Sequence, residues 1–192
     1  MKRYVLVTLG PLYGLMMLVM FILPCFSNEG MSLIAHSTSE LGAQGTRNAW
    51  VMNTVFVLLG LGYGVFGIHS LKTYPVLVVM IVFFATSLIM TAFFRHAPID
   101  PALPHDALED TLHSVFATAV GISFSAFAAS LMFVPVHRRM RYSALGMLMV
   151  AVLIPILMFT VPQWKGLFQR MMFLSAFLWL IVVFITVSLK KT

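Results

Sequence analysis

Six apolar runs, near 4–26, 48–71, 75–94, 111–134, 143–161 and 167–189, occupy most of this 192-residue chain. Each is close to the roughly 20 residues that a helix needs to cross about 30 Å of hydrocarbon. Lipid offers no water to an unpaired backbone, so a spanning run is either a helix or a strand of a closed barrel. Barrel strands alternate apolar and polar residues, and none of these runs alternates. The expected fold is therefore all-α. It is an integral membrane bundle of six transmembrane helices, one domain over residues 1–192, with no room for a soluble domain.

The first run opens as MKRYVLVTLGPLYGLMMLVMFILPCF. Its apolar core exceeds the 7–15 residues of a signal peptide and no small-residue cleavage site follows, so it reads as a retained helix. Cys25 is the only cysteine, which excludes an intramolecular disulfide and dithiol redox chemistry. The net charge of +6 is a topology signal rather than a nucleic-acid one. Lys2, Arg3, Lys72, Arg138, Arg139, Arg141, Lys190 and Lys191 fall on one side of the expected bundle, and Arg47, Arg95, Lys165 and Arg170 on the other. By the positive-inside rule both termini are expected in the cytoplasm. All six acidic residues then lie on the outer side. A multi-pass location in a cell membrane, of the bacterial inner-membrane kind, follows, with membrane lipids as partners and no nucleic acid.

The polar chemistry is concentrated in three outer connections, 27–47, 95–110 and 162–166. In the first, Ser37 and Glu40 fit a capping box, in which each side chain bonds the other's backbone N–H. The alternative there is a short helix or re-entrant turn folding polar groups over the mouth of the bundle. Asn53 is expected about one turn inside the second span. In the last, Arg170 stands nearly one turn into an apolar run. Either it snorkels to the headgroups, or it reaches inward to a carboxylate or a bound anion.

The second connection, RHAPIDPALPHDALEDTLH, holds three histidines and four of the six carboxylates. With Pro104 as a first-turn residue of the fourth spanning helix, His105, Glu109 and His113 follow i, i+4, i+8 along one face. Two imidazoles and a carboxylate are suitable donors for Zn²⁺ or a similar metal. His96 or Asp100 would complete the shell or act as base. The two histidines stand two helical turns apart, so His113 could equally pair with residues of other helices. The competing explanation is structural: Asp106 and Glu109 suit the positive end of a helix dipole, and Arg95 and Arg170 could pair with such acids in a rim of charge. The spans themselves carry no chain of ionisable residues and no repeat, which argues against an ion-coupled transporter.

Ser39-Glu40-Leu41-Gly42 with Asn53 and Gly60, Asp100-Pro101 followed by His113, and Gly166-Leu167-Phe168-Gln169-Arg170 together make the chain resemble a six-span bacterial and archaeal family, domain of unknown function 998. The resemblance implies that Glu40, Asp100, His113, Gln169 and Arg170 belong to one shared pattern, and it implies no reaction. A more distant likeness is to alkaline-ceramidase-type membrane hydrolases, which join Ser, Asp and His around zinc. Their paired H-x-x-x-H motif does not occur here.

The expected function is a membrane-embedded protein with an outer-facing His/carboxylate/Arg site, a metal-assisted hydrolase of a lipid or amphiphile. Glu40 and Asp100 would be catalytic, Asn53, Gln169 and Arg170 substrate-binding, and His96, His105, Glu109 and His113 ligands to zinc. The alternatives are a non-enzymatic lipid-binding or accessory protein and a small-solute transporter. Glu40, Asp100, His113 and Arg170 are expected to surround one cavity.

Overall fold

A computed structural model describes residues 2–189. Among them there is no strand, and six helices are long and apolar enough to cross a membrane. They are α1 (Lys2–Ile22), α3 (Ala49–Leu71), α4 (Pro75–Phe93), α5 (Ala107–Leu131), α6 (Arg138–Thr160) and α7 (Lys165–Leu189), with a short α2 (Thr38–Leu41) in the first long connection. Single 3₁₀ turns at Leu23–Phe26 and Pro162–Trp164 cap α1 and lead into α7. With six crossings, the start of α1 and the end of α7 fall on one face, beside the 72–74 and 132–137 turns. This is the basic face. The other, the loop face, carries the long connections.

Lipid tails are as apolar as leucine, so the helices are held by close packing rather than by escape from water. On α3, Gly60, Gly64 and Gly67 recur at i, i+4 and i+7 and bring α4 close. A Cβ on Gly60 would sit 2.8 Å from the Ala85 carbonyl oxygen, and one on Gly67 2.7 Å from Ile81. Helix α7 packs against α1, α3 and α6. Its Phe177 lies edge-on to Tyr63 at 4.9 Å between centroids, and the Tyr63 hydroxyl donates to the Phe177 carbonyl at 3.2 Å. Helix α6 is the least covered of the six spans.

Two helices begin earlier than their apolar runs. Helix α6 starts at Arg138 rather than near 143, and α5 at Ala107 rather than 111. Polar and charged first turns conceal both starts in the sequence. The expected helical role of Pro104 and His105 is corrected: Asp106 is the N-cap, its carboxylate accepting from the Leu108 and Glu109 N–H groups at 2.9 and 3.0 Å. His105 precedes the helix and is exposed.

Candidate functional site

The 27–48 connection is braced by its own short polar side chains. Asn28 accepts from the Arg47 N–H at 2.9 Å, and Asn48, in a left-handed conformation (φ 60°), donates to the Phe26 carbonyl at 2.9 Å. Ser37 and Glu40 form the expected capping box, at 2.6 Å from Ser37 N–H to Glu40 Oε2 and 3.2 Å from Glu40 N–H to Ser37 Oγ. The other Glu40 oxygen takes the Lys165 ammonium at 2.9 Å. Burial pushes the Glu40 carboxyl up, but the Ser37 N–H and the Lys165 ammonium outweigh it and hold the group below its ordinary value.

Beside this turn, α7 seizes the backbone of the same loop. The Arg170 side chain is fully buried. Its Nε donates to the Met20 carbonyl at 3.1 Å, and its Nη1 to the carbonyls of Leu33, His36 and Gly166 at 2.8, 2.8 and 2.9 Å. Arg170 therefore neither snorkels nor meets a carboxylate; Glu40 pairs with Lys165 instead. One turn earlier, Gly166 lies against His36 so closely that any Cβ there would overlap the His36 carbonyl. Gln169 Oε1 accepts from both the N–H and the hydroxyl of Thr38, at 2.6 and 2.7 Å. Asn53 donates to the Gly42 carbonyl at 3.1 Å.

A second tie joins the two long connections. Gln44 donates through Nε2 to the carbonyls of Arg95 and Asp106, at 3.1 and 3.0 Å, and accepts from the Asp106 N–H at 2.8 Å. Its own N–H donates to the His96 carbonyl at 2.9 Å. The first turns of α5 are spoken for as well. Glu109 receives Arg95 Nε at 2.9 Å and the Arg95 N–H at 3.0 Å, and Asp110 receives the Ala97 N–H at 2.7 Å. Asp100, on an exposed turn, caps the Ala102 N–H at 2.9 Å.

His113 is the exception. It is 3 % exposed, and its Nδ1 faces the carbonyl oxygens of Thr91 and Phe94, at 3.0 and 2.7 Å. Carbonyls only accept, so Nδ1 carries the proton, and in the neutral ring Nε2 is a bare lone pair. That nitrogen is buried and has no partner. The His96 ring stands edge-on, 5.4 Å away between centroids, and His96 Nδ1 is 3.9 Å from Asp110.

The residues singled out from the sequence thus fall into separate groups. Glu40, Gln169 and Arg170 share the 36–40 turn, with Asn53 under its Gly42. His96, Glu109 and His113 line the start of α5, while Asp100 and His105 stand exposed on the intervening loop. Among the described residues, no three His, Cys, Asp or Glu side chains gather in a set able to hold a metal ion. Of the donors expected to bind zinc, Glu109 is engaged by Arg95, and His105 is exposed where His113 is buried. Gln44 was not legible as a clamp. A carboxamide in a polar loop gives no sign of which backbone it will bond.

The family model described as "Protein of unknown function (DUF998)" matches residues 12–186. The chain belongs to that family. No curated protein and no solved structure matches it. In this DUF998 member, both polar ties and His113 lie inside the matched segment. Chemically, the loop face holds in His113 Nε2 a buried side-chain acceptor without a partner among the described residues.

Proposed function

We propose that the protein recognises an amphiphilic molecule at its loop face, with His113 Nε2 accepting a hydrogen bond from a hydroxyl or amide of the ligand. The single observation that carries this reading is the buried, unpartnered Nε2 of a ring whose Nδ1 is fixed by two carbonyls. Leaving such a group unpaired costs about 1–3 kcal/mol, and native proteins rarely keep one without a use. Membrane lipids surround the six spans and are the nearest source of such donors. On the positive-inside expectation the ligand comes from the outer leaflet. Glu40, Gln169, Arg170 and Asn53 serve the site as scaffold: their polar atoms hold loop to helix, and a catalytic Glu40 would first have to break a capping box and an ion pair.

Hydrolysis of the bound amphiphile is the second reading, favoured by the same lone pair, which is suited to take a proton from water or a hydroxyl. It needs a nucleophile or an activating group beside His113, and His96 is the nearest titratable neighbour.

The test is lipid analysis of the purified protein by native mass spectrometry, wild type against His113→Phe. A bound amphiphile that disappears in the folded variant is the expected result. An identical set of bound molecules in both proteins would refute the recognition role. Turnover of an ester- or amide-linked lipid that depends on His113 would select the hydrolytic reading. Stoichiometric zinc lost together with that histidine would restore the metal-assisted form.

A further inference from the structure

At the opposite face, the start of α6 and the end of α7 enclose a groove of about 670 Å³ lined by His137, Arg138, Arg139, Met140, Tyr142 and Thr186. Its charge is unbalanced in a way the sequence makes complete. All six carboxylates of the chain, Glu29, Glu40, Asp100, Asp106, Glu109 and Asp110, lie at the loop face. No acidic side chain is therefore available at the basic face to neutralise these cations.

The cations are also arranged to receive an anion. Arg138 Nε donates to the Tyr142 hydroxyl at 2.9 Å, and its guanidinium carbon lies 5.3 Å from the centroid of the same ring. The head group is thereby held while its two terminal nitrogens have no partner among the described residues. The Tyr142 hydroxyl, having accepted from Arg138, keeps its own proton to donate. Arg139 has no side-chain partner among the described residues. Two guanidinium forks beside a hydroxyl donor match the oxygens of a phosphate group better than a single point charge does. Past Tyr142, the exposed residues of α6 continue as Leu145, Met149 and Val152. Steps of three and four residues keep them on one helix face, so an apolar track runs from the groove along the least covered span.

We infer that this groove binds the phosphate of an anionic phospholipid in the leaflet at the basic face, with Arg138, Arg139 and Tyr142 on the phosphate and an acyl chain along the Leu145–Val152 track. The site is distinct from the His113 site and stands or falls without it.

The test measures lipid retained through detergent exchange by native mass spectrometry, and binding in nanodiscs of phosphatidylglycerol against phosphatidylcholine. Wild-type protein should retain phosphatidylglycerol in preference. Arg138→Gln with Arg139→Gln should reduce that preference roughly 30-fold, from the usual contribution of each basic residue near an anionic surface. Arg138→Lys with Arg139→Lys, which keeps the charge, should recover part of it, and Arg47→Gln at the other face should leave it unchanged. Millimolar inorganic phosphate should not displace the lipid. Equal retention of the two lipids, an unchanged preference in the folded glutamine variant, or displacement by free phosphate would each overturn the proposal, the last by assigning the groove to a soluble anion.

Discussion

Replacing Arg170 by methionine removes the guanidinium while keeping much of its length and apolar stem. Three acceptors outside α7 are then stranded, the carbonyls of Met20, Leu33 and His36, all within 2.8–3.1 Å of the lost nitrogens. A buried acceptor left unpaired costs about 1–3 kcal/mol, for a gross loss of roughly 3–9 kcal/mol. Against this, the variant no longer buries a charge, which costs several kcal/mol per ion in real proteins, and Nη2, which has no partner, is relieved as well. The balance is a net destabilisation of about 3 kcal/mol. Arg170→Lys keeps the charge but replaces a fork by a point, and should fall between the two. The assay is unfolding in detergent, followed by fluorescence of the three tryptophans. Limited trypsinolysis accompanies it: a loosened 27–48 loop should be cut faster after Arg47, with little change at Arg138. An Arg170→Met protein within about 0.5 kcal/mol of wild type, the usual range for an inconsequential substitution, would refute the argument that the carbonyl fork holds this loop.

Gly166→Ala should loosen the same loop by another route, because the new Cβ overlaps the His36 carbonyl; overpacking of this kind costs about 1–3 kcal/mol, and its effect should be less than additive with Arg170→Met. Gln44→Leu strands the Arg95 and Asp106 carbonyls and the Asp106 N–H, so amide exchange should accelerate across 95–106 while α3 and α7 keep their protection. For Glu40 the folded-state pKa lies below the ordinary carboxylate value. Its stabilisation is thus fully present above the unfolded pKa of about 4.3 and is lost as pH falls through the lower folded value. The melting-temperature gap between wild type and Glu40→Gln should therefore be constant from neutrality down to about pH 5 and close on further acidification; a gap that widens in acid would contradict the sign.

The membrane fold was legible because its signal is long and local, as the six apolar runs show. The capping box at Ser37 and Glu40 was legible for a similar reason, since both partners lie within one turn. The charged first turn Arg138–Arg141 hid the start of α6, because hydropathy marks the hydrocarbon and not the helix, while Pro104 put the expected start of α5 three residues too early. The partners of Arg170 and Gln44 were not legible at all. Both side chains bond backbone carbonyls, and every residue has one, so no residue type identifies the acceptor. The grouping of His96, His105, Glu109 and His113 depended on where α5 begins, and a start at Ala107 rather than at Pro104 leaves His105 outside the helix.

The tie between α7 and the first connection also sets an order of events during synthesis. Arg170 bonds Met20, 150 residues before it in the chain, and Gln169 bonds Thr38, 131 residues before it. At about 5–20 residues per second, the 27–48 segment leaves the ribosome several seconds or more before the residues that will hold it exist. Until then Glu40 lacks Lys165, and the Leu33 and His36 carbonyls must stay hydrated. Gln44 can by then already hold its end of the loop to the 95–106 backbone, so it is the 33–38 stretch that waits unlatched until the last helix inserts. A nascent chain arrested before residue 165 would carry five spans and lack every contact by which α7 holds the first connection.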